Sequence, residues 1–451
     1  MVSCGRMFDT FSLLDFFNHF LDAAGSNPFY AMAYFIWYGG WIVFLWVFLW
    51  FALHQYKDYI QGKFAASREW MLLRITVPRS SEQTPRAVEN LFAHLAGTHG
   101  TFSFVEEWIK GMTQSQLAVE IVSIDGNVGY YVYAERKFQD LIEASIHAQY
   151  PDADVDEVPD YVKNVPHHFP DEEWDTFSTE MVSAGKGHDA DAYPLRTYME
   201  FVDTVSGEFK DPMAAMLENL SRLGPGEQVW YQIVLTPIGQ TDFVKKCMKV
   251  ANKLKGKEEK VKKSSLEQAI MLPLELLSEA MGTIIGIGHK EPEKKKEQGL
   301  YPKLVAMSGV EREILESIER KSSKIAFACK IRFCYIAKKT VMKKSRAVHP
   351  FIGAMKQLNT NDRFALKPEG KHVGVNGTLL LFKDQRNNTR RNHFMHAYAQ
   401  RSNWAGMPSF MLNIEELATL WHFPILMQVK APSLLRTQAK KSEPPSNIPF
   451  G

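Results

Sequence analysis

The sequence predicts an α+β fold in which one N-terminal transmembrane helix precedes two mixed units of strand and helix. Three features predict it. No charged residue lies between Pro28 and His54. Two β-type runs, Leu117 to Ile124 and Val128 to Ala134, meet at Asp125-Gly126. A strand–helix–strand pattern then recurs after Leu195, around the turn Gly224-Pro225-Gly226.

A bilayer's hydrocarbon core takes about 20 apolar residues as helix. Phe29 to Leu53 meets that length, and 28–56 is assigned to the anchor. Trp37, Trp41, Trp46 and Trp50 stud it, rings of the kind favoured at headgroup level. A secretory signal fits less well, because a small-residue cleavage site should follow and His54-Gln55-Tyr56-Lys57 follows instead. Acids (Asp9, Asp15, Asp22) precede the span, and Lys57, Lys63, Arg68 and Arg74 come after it. Cationic flanks stay in the cytoplasm. The expectation is therefore a single-pass inner-membrane protein with its bulk cytoplasmic and membrane lipid as a partner. Residues 1–27 carry Phe8, Phe11, Leu14, Phe17 and Leu21 at helical spacing, as an interfacial segment would.

Residues 66–162 form the first unit. Trp70 to Val77 is an apolar run closed by Pro78, as a buried strand would be. Ala87, Leu91 and Leu95 repeat at helical spacing after Thr84-Pro85, a helix start. Asp-Gly between two β-type runs is a strong hairpin signal. Phe138, Ile142 and Ile146 mark a second helix, and Ala153 to Val158 returns as a strand. The order β-α-β-β-α-β is the ferredoxin-like arrangement.

Residues 163–193 read as an acidic connector. The second ferredoxin-like unit is placed at 194–430. It starts with a strand over Leu195 to Val202, a helix over Met213 to Leu223 and a strand over Gln228 to Leu235. A helical insertion at 241–320 splits it. That insertion includes an amphipathic helix at Ala269 to Gly288 and a solvated linker, Lys290 to Lys296. Strand alternation returns in Lys324 to Ala337, and His349 to Leu358 reads as helix. Residues 431–451 are a Pro- and Lys-containing tail.

At 451 residues the chain is too long for one ordinary core. A net charge of +2 says little. The four cysteines form no C-x-x-C pair, so no disulfide framework or zinc site is expected. Phosphate-cradling loops need Gly five residues before a Gly-Lys-Ser/Thr triplet. Glu180, Ala251 and Ala365 stand five before the Gly-Lys pairs at 185, 256 and 370, and no Ser or Thr follows. Asp152, Asp154 and Asp156 begin a calcium-like spacing that fails at Glu157, where Gly is needed, and at Lys163, where a carboxylate is needed. His393 and His396 lack a companion ligand. No catalytic, cofactor or metal site is expected. Two basic groups stand beside aromatics. One is Lys338, Lys339, Lys343, Lys344 and Arg346; the other is Arg386, Arg390, Arg391 and Arg401. Such groups can grip single-stranded nucleic acid or face anionic lipid, and charge runs are most often only a solvated face.

An ordered set of segments, WMLLRITVPRSSEQTPRAVENLFAHLAGTHG, SIHAQYPDADVDEVPDY, DPMAAMLENLSRLGPGEQVWYQIVLTP, NIEELATLWHFP and SEPPSNIP, carries a resemblance. Together they resemble the membrane-anchored N-terminal region of conjugation-type ATPases, the type IV secretion coupling proteins of candidate-phylum bacteria. In that family the last segment leads into a P-loop motor, whose motifs this chain lacks. The resemblance implies a non-enzymatic assembly module that docks a motor ATPase in trans, with copies of itself as further partners. The alternative is a nucleic-acid-binding module using the two basic groups.

Overall fold

The computed structural model describes residues 41–78, 83–185, 189–203, 205–256, 307–374 and 382–424, with Phe29 and Ile36. In chain order the helices are α1 (Trp41–Ala66), α2 (Pro85–Leu95), α3 (Phe104–Trp108), α4 (Gln139–Gln149), α5 (Ala214–Ser221), α6 (Gln240–Leu254), α7 (Gly309–Ser322), α8 (Lys344–Lys356), α9 (Lys383–Ala399) and α10 (Ile414–Leu420). The strands are β1 (Trp70–Thr76), β2 (Leu117–Ile124), β3 (Asn127–Glu135), β4 (Asp154–Glu157), β5 (Trp174–Ser183), β6 (Glu227–Pro237), β7 (Ala326–Lys338), β8 (Leu366–Pro368) and β9 (Phe410–Asn413).

Two compact units divide the chain: Met1–Arg68 with Thr101–Thr113, and Glu69–Gly100 with Gln114–Gly451. The first contains α1 and α3. Ser103 and Glu106 form a capping box that starts α3. Lys57 reaches Glu107 at 2.5 Å and lies over the Trp108 ring.

The first unit corrects the expected anchor. Among the described residues no helix is long and apolar enough to cross a membrane. Within the described part of α1 the apolar residues run from Trp41 to Leu53, a rise of about 20 Å against the ~30 Å hydrocarbon core, and residues 30–35 and 37–40 before them lie outside the described ones. His54, Gln55, Lys57 and Asp58 then make the helix polar. Trp41, Trp46 and Trp50 lie exposed on α1, while Trp37 and the interfacial segment 1–27 lie outside the described residues. The single-pass placement in the inner membrane is withdrawn on that finding.

The second unit is built on one antiparallel nine-stranded sheet, ordered β4-β1-β3-β2-β6-β7-β5-β8, with β9 added to β7. The two halves expected as ferredoxin-like units share this one sheet. Along the path β1-α2-β2-β3-α4-β4 the strands lie in the order fourth, first, third, second. β5-α5-β6-β7-α8-β8 repeats that order in mirror sequence. β2 and β6 then pair from Leu117↔Leu235 to Ile124↔Gln228, which makes the two halves one sheet. The Asp125-Gly126 hairpin closes with both residues at positive φ (53° and 85°), as a two-residue turn demands.

Period-2 alternation assigns the two faces. Val229, Tyr231, Ile233 and Leu235 of β6 join the main core, under α2, α4, α5, α8 and α10. Trp230, between them, points to the opposite face with Phe394, Met395 and Tyr398 of α9. Helices α6 and α7 make up most of the described part of the insertion and share a third cluster around Phe243, Cys247 and Ile318. The amphipathic helix and linker expected within 257–306 lie outside the described residues, as does the tail 431–451.

Two element assignments change. The acidic connector contains β5, which pairs along β7 from Trp174↔Lys338 to Met181↔Ile331. Leu195 to Val202 is no strand; it ends in a 3-10 turn, Tyr198–Phe201. The reason lies in its donors. Leu195 N–H bonds to Glu416 and Tyr198 N–H to Thr419 Oγ1, so α10 side chains satisfy the backbone that a ladder would otherwise satisfy.

Candidate functional site

The second face of the sheet carries a row of polar side chains at one register level. Glu120 on β2 stands opposite Gln232 on β6, Gln232 opposite Arg332 on β7, and Arg332 opposite Glu180 on β5. All four are at most 1% exposed. Buried polar groups demand partners, and these find one another. Gln232 Nε2 donates to Glu120 Oε1 at 2.7 Å, and Arg332 Nε donates to Glu180 Oε1 at 2.9 Å.

Two elements close over the row. Segment 160–169 brings Asp160 and Tyr161, whose hydroxyl donates to Glu120 Oε2 at 2.8 Å. The end of α9 brings Tyr398 and Arg401. Arg401 Nε donates to Glu120 Oε1 at 3.0 Å, and its two Nη atoms bind both Asp160 oxygens. Burial pulls the Arg401 guanidinium down, but Glu120 and Asp160 outweigh it and hold it well above its ordinary value. Arg332, with less opposing charge, is lowered by burial despite Glu180. Burial drives both tyrosine hydroxyls, Tyr161 and Tyr398, well above 10. They stay protonated and serve as donors.

One residue row further along, Lys330 is also buried. Burial pulls its ammonium down to about 8, Glu180 resisting and Arg332 adding to the shift. Between about 8 and the ordinary 10.5 the unfolded chain therefore holds this proton more tightly than the folded one. The sign follows: stability gains from Lys330 as pH rises through that window. Lys330→Met should abolish the gain. Urea midpoints of wild type and variant, compared at about pH 7.5 and about pH 10, should show the difference shift in favour of wild type at the higher pH.

Most of the predicted basic residues are bonded to acids or backbone carbonyls. Lys338 pairs with Glu173 at 2.5 Å, Arg391 with Asp175 at 3.1 Å, and Arg346 with Glu227 at 3.0 Å. Lys339 donates to the carbonyl of Asp171, and Arg390 to those of Gly374 and Lys371. Arg386 is half-buried on α9. Arg401, 1% exposed, lies in the buried row. Lys343 and Lys344 are exposed.

The row itself was missed by sequence reasoning, although a signal existed. Glu120, Gln232, Lys330 and Arg332 each interrupt an otherwise apolar strand run (AVEIV, YQIV, CKIRF). A charge at the centre of a buried strand announces a partner elsewhere.

Other chemistry is sparse. Cys247, Cys329 and Cys334 are buried, and burial pushes their thiols up, Cys247 to about 11 and Cys334 to about 12. Such thiols are poor nucleophiles. Among the described residues no group of three or more His, Cys, Asp or Glu is placed to hold a metal ion. A cavity of about 400 Å³ lies beside Tyr193, Lys253 and Arg363, where Arg363 already meets Glu200 at 2.9 Å and Glu313 at 2.6 Å. The polar row does not line it.

A family profile described as a domain of unknown function, DUF8128, matches residues 61–431. That description carries no secretion or conjugation role, so the secretion keywords drawn from the resemblance find no support in it. No curated protein matches the chain.

Proposed function

We propose that this chain, which belongs to the DUF8128 family, is a non-enzymatic docking module that holds a P-loop motor ATPase within a type IV secretion or DNA-transfer-like apparatus. The observation that supports it is the use made of buried charge. Arg332 is matched by Glu180, Arg401 by Glu120 and Asp160, and Lys321 by Glu416. Catalytic groups are normally left poised toward a cavity where substrate enters. Here each is consumed in bonding one element of the scaffold to another. The identity of the partner comes from the ordered resemblance of segments alone.

Affinity purification of the full chain from its native host tests this. A P-loop ATPase should be retained in near-stoichiometric amount and lost when the folded chain is replaced by an unfolded variant. Recovery of the chain with no ATPase removes the reading.

The nucleic-acid alternative is favoured only by the exposed pair Lys343 and Lys344. A charge-driven nucleic-acid contact weakens steeply with salt. Fluorescence anisotropy with a single-stranded oligonucleotide should show weak binding to the full chain, little changed by Lys343→Glu/Lys344→Glu. Strong binding that this double variant abolishes would reverse the preference.

A further inference from the structure

His422 lies just past the end of α10, and its side chain is fully buried. Both ring nitrogens face oxygen. Nδ1 is 2.8 Å from the carbonyl of Ala418, and Nε2 is 3.0 Å from Asp211 Oδ1. The Ala418 carbonyl is one of the last four of α10, which no later turn of that helix can satisfy. Asp211 stands on the segment that leads into α5, and its side chain is fully buried too.

Neither oxygen is a donor. A carbonyl only accepts. Asp211 Oδ1 already accepts the Met213 N–H at 2.7 Å, a contact that favours the charged carboxylate. A neutral imidazole carries one N–H and one lone pair. It could serve one of these two contacts and would set its lone pair against the other oxygen. An imidazolium carries two N–H groups and serves both. Its charge is then met by Asp211, as a buried charge requires.

Other charges on the surrounding elements have partners of their own. Glu89 of α2 binds Lys324 and the Tyr198 hydroxyl. On α10 itself, Glu415 meets Arg320 and Lys324, and Glu416 meets Lys321. Glu218 of α5 meets Arg222. Arg86 and His94 of α2, His147 of α4 and Lys356 of α8 are exposed, where solvent screens them. Asp211 is therefore the charge that answers the ring.

We propose that His422 is an imidazolium in the folded chain, and that its second proton locks the end of α10 to the segment before α5. The residues on either side of it belong to the main core. Trp421 meets Phe92 and Tyr130, and Phe423 meets Tyr130 and Tyr150. The lock thus ties two aromatic residues seated on the first half of the sheet to an acid of the second half. Loss of the proton sets a lone pair against an oxygen and loosens the tie. Where the ring of the unfolded chain has already given up that proton, the folded chain holds one more. Stability drawn from this pair therefore falls as pH rises, opposite in direction to the contribution of Lys330.

The test uses the full chain, its histidines labelled with nitrogen-15, as wild type, His422→Gln and Asp211→Asn. At about pH 8 an ordinary histidine ring is neutral. The two-bond proton–nitrogen spectrum of wild type should then show one ring with both nitrogens protonated, and His422→Gln should lack it. A bare nitrogen on that ring overturns the proposal. In Asp211→Asn the amide can donate to Nε2, so the ring should turn neutral. Urea unfolding gives the second readout. From about pH 6 to about pH 8 the folding equilibrium constant of wild type, relative to Asp211→Asn, should fall by up to about tenfold per pH unit. The Lys330 contribution cancels in that ratio. A ratio that stays constant marks an ordinary structural contact and overturns the proposal. If neither variant folds, the wild-type spectrum decides alone. Among the fourteen histidines, one ring that keeps both protons at about pH 8, and exchanges them slowly as a buried ring must, supports the lock; the absence of any such ring overturns it.

Discussion

Arg401→Met should lower the stability of the folded chain by about 3–5 kcal/mol, the usual effect of removing one partner from a buried ion pair. Arg401 is 1% exposed and is the counter-charge to Glu120, itself fully buried, and to Asp160. Without it, Glu120 keeps the Tyr161 hydroxyl and the Gln232 amide, two neutral donors for a full negative charge. The loss would also remove the charged link between segment 160–169 and the end of α9, two elements far apart in the chain, leaving the Tyr161–Tyr398 hydroxyl contact and the Asn392–Phe169 bonds between them. Urea unfolding followed by circular dichroism measures the effect. Glu120→Gln/Arg401→Met should recover part of it, because the second change removes the stranded charge. A loss below about 1 kcal/mol for the single variant would show that water or a shifted side chain replaces the guanidinium.

Glu416→Leu should cost about as much, again roughly 3–5 kcal/mol. Glu416 and Lys321 are both fully buried, 3.0 Å apart. The carboxylate also accepts the N–H groups of Leu195 and Asn413, the second as half of the capping box that starts α10. Removing it leaves the buried ammonium with only the Tyr193 and Met411 carbonyls and no counter-charge, and strands two backbone N–H donors. Lys321→Met should cost less, because the carboxylate keeps both N–H donors. Burial already holds Glu416 above the usual carboxylate range, so it can also take up a proton. Thermal melts of the two variants at neutral pH give the order, and a larger loss for Lys321→Met would reverse the assignment of roles.

Local patterns in the sequence carried much of the second unit. The Asp125-Gly126 turn, the helix after Pro85 and the alternation in β7 are each set by nearby residues, and each is present. What failed depended on distant partners. Leu195 to Val202 has strand-like residues, yet Glu416 and Thr419, more than two hundred positions later, take its donors. β5 was masked by the acids around it, although Phe177 and Met181 face the core while Thr176, Ser178 and Glu180 face the opposite side. The joining of two four-stranded sets into one sheet was equally hidden, since β2 and β6 look like ordinary buried strands and nothing local marks them as each other's neighbours. Among the basic residues, Arg401 was hidden for the same reason. Arg401 reads as a surface cation until Glu120, 281 residues away in sequence, is seen against it.

Among the described residues three strands have a single partner, β4, β8 and β9, and all are short; on β9, of four residues, Asp191 takes the Met411 N–H. β4 has four residues, and its exposed Asp156 and Glu157 meet Arg74 and Arg136. β8 has three and ends on Pro368, which has no N–H to offer. Charge, brevity and proline are the ordinary means by which a sheet refuses another chain's backbone. Growth into fibres by strand addition is thereby discouraged even though the sheet is wide. Any larger assembly containing this protein would have to form through side chains and loops, whose shapes choose one neighbour and stop there.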